Sequence, residues 1–204
     1  MLFEDTYLTI EEPGEGLFAD RGSKFLSFAY PVKSDTEVKE LVAALKKAHP
    51  KAVHHCWAMR LTPDRSVFRV NDDGEPSGTA GRPILNTLLS RDLTNLVVVV
   101  VRYFGGTLLG VPGLINAYKS ATEDALNKLA VVKKTVNDVY SLEFEYTQMN
   151  DVMRIIKEND VTVLNQQFDN QCMMSLSVRK TQVNIVISRI NSIAGVKVKY
   201  LFSV

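Results

Sequence analysis

Several things are scarce in these 204 residues, and each scarcity narrows the field. There are two cysteines, Cys56 and Cys172, far apart in the chain. That is no disulfide framework, and both are expected as reduced thiols of a cytoplasmic protein. No apolar run reaches the ~18 residues of a membrane span. The first five residues carry Glu4 and Asp5 with no long apolar stretch behind them, which argues against a signal peptide. An excess of charge is also missing. Lys and Arg number 24 against 23 Asp and Glu, for a formal net charge of +1. No global field attracts or repels nucleic acid, so binding to it would need local clustering. What remains is an ordinary globular composition, 46% hydrophobic, able to bury a core in one or two domains.

Two nucleotide motifs are absent as well. Gly105 and Gly110 have the glycine spacing of a phosphate-binding loop, but Val111-Pro112 stand where Lys-Ser/Thr is required. There is no G-x-G-x-x-G. A nucleoside triphosphate site is thereby disfavoured. Two readings of these glycines stay open: an anion site at the start of the next helix, or close packing of helix on strand.

The stretch around which the chain is organised is Asn71 to Pro83. It holds three carboxylates (Asp72, Asp73, Glu75), three glycines (Gly74, Gly78, Gly81), the hydroxyls of Ser77 and Thr79, and Arg82. No large apolar side chain is among them, so core packing does not explain the choice. Pro83 places a helix start between Ser77 and Pro83, with Ser77 or Thr79 as its cap. The expectation is a folded loop presenting acids, hydroxyls and backbone N–H groups. Its acids are expected to be exposed, so that Asp72→Ala or Glu75→Ala costs little stability.

Around this loop the pattern alternates strands and helices. Ser34 to Glu37 is a capping box ahead of a helix with Val38, Leu41, Val42 and Leu45 on one face. His54 to Leu61 reads as a strand with His54, Cys56, Ala58 and Arg60 on one face and His55 on the other. His54 and Cys56 lack a third ligand, and no metal site is assigned. The five consecutive valines of Leu96 to Tyr103 mark a strand buried on both faces. From Asp138 onward the order is β-α-β-β-α-β, the ferredoxin-like split motif. The fold class is α+β with two domains, 1–137 and 138–204, and a link near Lys133 to Asn137.

Four stretches together carry a resemblance. Arg21-Gly22-Ser23-Lys24-Phe25, His54-His55-Cys56-Trp57-Ala58, Asp72 to Pro83, and Val101-Arg102-Tyr103-Phe104-Gly105-Gly106 with Leu109-Gly110 resemble the YigZ/IMPACT family, in its bacterial type. The resemblance implies that 1–137 has the α/β sandwich of domain two of a small-subunit ribosomal protein, shared with domain IV of elongation factor G. It implies that 138–204 is similar to that factor's domain V. Eukaryotic members regulate translation, and for bacterial members RNA or ribosome contact is the implied role. One departure is Asn116, where the family usually has arginine; Lys119 stands nearby.

The favoured reading is a translation-related regulator without catalysis or cofactor. It binds RNA or the ribosome, or a translation-regulatory protein, and not a membrane. The expected surface comprises Lys24, His54, Asp72, Asp73, Gly74, Glu75, Ser77, Gly78, Thr79, Arg82, Arg102, Gly105, Gly106 and Lys119. Arg102, beside a buried strand, has the alternative of pairing with Asp72 or Asp73. Two other functions stay open. One is a metal-dependent hydrolase in which Asp72, Asp73 and Glu75 hold Mg²⁺, with Ser77 or Thr79 as nucleophile. The other is a protein-interaction module without nucleic acid.

Overall fold

The computed structural model describes residues 5–169 and 171–204. Its contacts divide into two compact units: Tyr7–Lys134, and Thr135–Val204 together with the described residues Asp5 and Thr6. In sequence the two units change over between Lys134 and Thr135, within the stretch expected as a link. Val131–Thr135 is a strand paired with Thr6–Ile10 in a two-stranded sheet. Short and half charged, it carries little strand signal.

The elements lying wholly or, for β1 and β7, all but one residue in the first unit run β1 (Thr6–Ile10), β2 (Gly14–Asp20), β3 (Ser23–Pro31), α1 (Asp35–Ala48), β4 (His54–Leu61), β5 (Val67–Asn71), α2 (Gly81–Ser90), β6 (Leu96–Tyr103), α3 (Gly110–Asn127) and β7 (Val131–Thr135). Five strands form one antiparallel sheet in the order β2-β3-β6-β4-β5. The valine strand β6 lies at its centre, as a run with no polar face requires. Val98 and Val100 join the core under α2 and α3, with Ile84, Leu88, Leu114 and Ala121. Val97, Val99 and Val101 face the other way, towards Val38 and Leu45 of α1. The result is helix, sheet, helix. At the start of α1 the Ser34 hydroxyl accepts from the Glu37 amide, and the Glu37 carboxylate accepts from the Lys33 amide.

The second unit contains β8 (Asn137–Phe144), α4 (Met149–Glu158), β9 (Thr162–Phe168), β10 (Cys172–Arg179), α5 (Val183–Asn191) and β11 (Lys197–Ser203). The strand order β11-β8-β10-β9 is that of a ferredoxin-like sheet, with the two inner strands first and third in sequence. Alternate residues Cys172, Met174, Leu176 and Val178 of β10 meet Val152, Ile156, Val186 and Ile190 of the helices. Asp5 belongs here by its contacts. Its carboxylate accepts from the Arg179 guanidinium (2.5 and 3.0 Å) and the Thr181 hydroxyl (2.8 Å), and its carbonyl accepts from the Val136 amide. The hydrogen bonds from Arg179, and then that from Thr181, hold the Asp5 carboxyl down at about 2.

Candidate functional site

The organising loop leaves β5 at Asn71 and enters α2 at Gly81, and its three acids turn inward. Asp72 caps α2 from nine residues upstream. One carboxylate oxygen accepts from the amides of Ala80 (3.2 Å) and Gly81 (2.8 Å), the other from Gly78 (2.9 Å). Ala80, at the N-cap position, has no capping side chain. This corrects the expectation that Ser77 or Thr79 caps the helix: the Thr79 hydroxyl donates to the Pro76 carbonyl, and Ser77 is exposed. It also means that the first amides of α2, which a phosphate would otherwise use, are already held by a carboxylate.

Asp73 ties the loop back to β4 and α1. It accepts from the His55 amide (2.7 Å) and from Lys46 Nζ (2.9 Å). Burial pushes its carboxyl up, but the Lys46 ammonium and the His55 amide outweigh that and hold it below the ordinary range. Its carbonyl lies 2.8 Å from His54 Nδ1. A carbonyl oxygen only accepts, so Nδ1 carries the proton. Nε2 then lies 3.9 Å from Glu75 Oε1.

Glu75 is the deepest of the three, its side chain 3% exposed. Oε1 accepts from Arg102 Nη1 (2.5 Å) and from the Tyr118 hydroxyl of α3 (2.7 Å). Arg102 is 6% exposed, and its guanidinium carbon lies over the rings of Phe25 (5.4 Å) and Phe104 (5.6 Å). Cys56 completes the cluster. Its thiol donates to the Asp72 carbonyl at 3.0 Å and lies 3.3 Å from the Tyr118 hydroxyl. Burial pushes both the Cys56 thiol and the Tyr118 phenol well above their usual ranges, so both stay protonated.

The expected site thus separates into a buried layer and a surface. Glu75 and Arg102 are buried in the layer, whereas Asp72, Asp73 and His54 are half-buried, so the expected exposure of Glu75 and the phosphate role of Arg102 are both corrected. Arg102 pairs with Glu75 rather than with Asp72 or Asp73. Gly74, Ser77, Gly78, Gly105 and Gly106 are exposed. Gly78 has φ +78°, which disfavours any side chain there. Gly105 touches a second glycine: a Cβ on it would stand 2.0 Å from the Gly22 carbonyl carbon. Its amide donates to the Ser23 hydroxyl at 3.1 Å. Arg82 and Lys119 line one groove between α2 and α3. Lys24 lies elsewhere, in a hollow with Leu17, Gly22, Leu26 and Tyr103. Sequence reasoning missed Tyr118, and it weighed Cys56 only as half of an incomplete metal pair with His54. Tyr118 read as core, and only its hydroxyl, which a buried position must satisfy, hinted at a polar partner.

The acids offer no obvious cation site, since each is committed to amides or cations of the protein. Among the described residues no group of three His, Cys, Asp or Glu could hold a metal ion.

Comparison with known proteins agrees with these motifs. The Impact N-terminal domain family matches residues 21–126, a span containing every residue of the site. The chain belongs to the IMPACT family. It is 31% identical to the IMPACT family member YvyE of Bacillus subtilis, over 88% of this chain and 82% of that one. It is likewise 31% identical to the IMPACT family member YigZ of Escherichia coli, over 79% and 80%. The crystal structure of a hypothetical protein, 28% identical, superimposes with a TM-score of 0.72 and covers 98% of both chains. The fold is therefore shared with that protein over 98% of both chains. Among the described residues of this IMPACT chain, no helix is long and apolar enough to cross a membrane.

Proposed function

We propose that this protein is a translation-related regulator. Its first unit contacts RNA or the ribosome through its exposed glycine loops and the groove lined by Gly78, Arg82 and Lys119. Membership of the IMPACT family supports the general role. The observation that carries the contact surface is the placement of Arg82 and Lys119. Both are exposed and line the same groove, next to Gly78. Arg82 has no ion-pair partner among the described residues, and Lys119 faces only Glu123 at 3.8 Å. A cation left unneutralised beside a rigid loop suits a phosphate oxygen, and Arg offers it a two-pronged donor. The acids support binding without catalysis, because their carboxylates are committed to amides, Lys46, Arg102 and Tyr118 of the protein and brace the loop.

The test is binding of purified ribosomes and ribosomal RNA from low to moderate salt. Two or three phosphate contacts give a log–log salt slope of roughly −2 to −3. Arg82→Ala with Lys119→Ala should flatten it by about two units while leaving the melting temperature unchanged. No affinity for ribosomes or RNA even at low salt would overturn the proposal in favour of a protein partner.

A further inference from the structure

The groove between α2 and α3 is larger than phosphate contact requires. Its volume is about 450 Å³, within the ~300–1,000 Å³ range of sites that enclose small molecules. Its two walls are helix faces with the same period. α2 contributes Arg82, Asn86 and Ser90, and α3 contributes Ile115, Lys119 and Glu123, each set spaced by four.

The chemistry is graded along this groove. Pro83 and Thr87 are buried and form the floor. The Thr87 hydroxyl donates to the Pro83 carbonyl, so the floor has no free donor there. Ile115, 40% exposed, gives the opposite wall an apolar face. At one end stands Arg82, and one turn further the Asn86 carboxamide, which makes no hydrogen bond among the described residues. An amide with two donors and an acceptor, open to solvent beside an apolar slot, can pair with the edge of a heterocycle.

Resting on the RNA reading above, we propose that this groove receives one unpaired nucleotide of an RNA. Its phosphates lie between Arg82 and Lys119, its base lies against Ile115 and Pro83, and the base edge hydrogen-bonds to Asn86. A paired base cannot enter, because its edge and both faces are already covered by its partner and its neighbours. The groove therefore distinguishes a bulged or looped strand from a continuous duplex, whereas the cations alone bind both.

Three RNA hairpins test this by fluorescence anisotropy: fully paired, with one unpaired nucleotide, and with an abasic residue at that position. The unpaired nucleotide should tighten binding about tenfold over both others. Asn86→Ala should remove that preference and leave affinity for the paired hairpin unchanged. Equal affinity for all three, still weakened by Arg82→Ala, would overturn the nucleotide site and keep the phosphate contacts. No binding to any hairpin or to ribosomes would overturn both. A photo-crosslinker at position 86 should label RNA in purified ribosomes; labelling of a ribosomal protein instead would overturn the nucleotide site.

Discussion

Arg102 and Glu75 form a buried ion pair that joins the end of the central strand to the organising loop. The Tyr118 hydroxyl and the rings of Phe25 and Phe104 close around it. Removing one partner leaves the other charge buried and alone, at a cost of roughly 3–5 kcal/mol. Arg102→Met and Glu75→Leu should each lower the melting temperature by about 10 °C, on the scale of 2–4 °C per kcal/mol for a chain of this size. The double variant should lose less than the sum of the two, because neither charge is then stranded. Circular dichroism melts of the three proteins provide the check.

Asp72 should prove equally structural. Its carboxylate holds three amides at the entry to α2. Asp72→Ala should cost about 1–2 kcal/mol, the upper part of the range for a lost cap. Hydrogen exchange should accelerate first at the amides of Gly78, Ala80 and Gly81. Uniform acceleration throughout the first unit would show instead that the whole fold depends on this cap.

The Asp5–Arg179 pair makes a prediction about acid. The folded pKa of Asp5 is lowered from 3.8 to about 2. Its contribution to stability is therefore fully present above about 4 and is lost as the pH falls through 2. Hydrogen exchange at the Val136 amide, which the Asp5 carbonyl accepts, should lose protection across that window. In Arg179→Met the Asp5 pKa returns towards its ordinary value, so the acid-dependent loss should shrink and be complete at higher pH.

Cys56 should be inert in the native protein. It is fully buried, and that burial holds its proton well past neutral pH. A thiol reagent at pH 8 should modify it only in denaturant. Rapid modification of Cys56 under native conditions would mean that the cluster opens far more often than its packing implies.

The elements legible in the sequence are those specified by local pattern. Five valines can only be a central strand, and Ser34 with Glu37 can only open a helix that starts between them. The alternation in the last third gives the ferredoxin-like order directly. The loop was legible as special, but its role was not. Its acids find partners at separations of 27 residues for Glu75 and Arg102 and 43 for Glu75 and Tyr118. No period in the sequence encodes such distances. Arg102 did carry a signal, since it shares the inward face of β6 with Val98 and Val100 and pairs in register with Phe25 and His54. A cation at an inward position of a buried strand requires a buried acid.

The Asp5–Arg179 pair also sets an order of events during synthesis. Its partners are 174 residues apart. At roughly 5–20 residues per second, Asp5 waits on the order of ten seconds or more for Arg179 to be made. By then every residue of Tyr7–Lys134 has long been available to fold. The segment around Asp5 is thus the first part of the described chain to be made and among the last to dock, which leaves it open to chaperones, proteases and modifying enzymes throughout that interval.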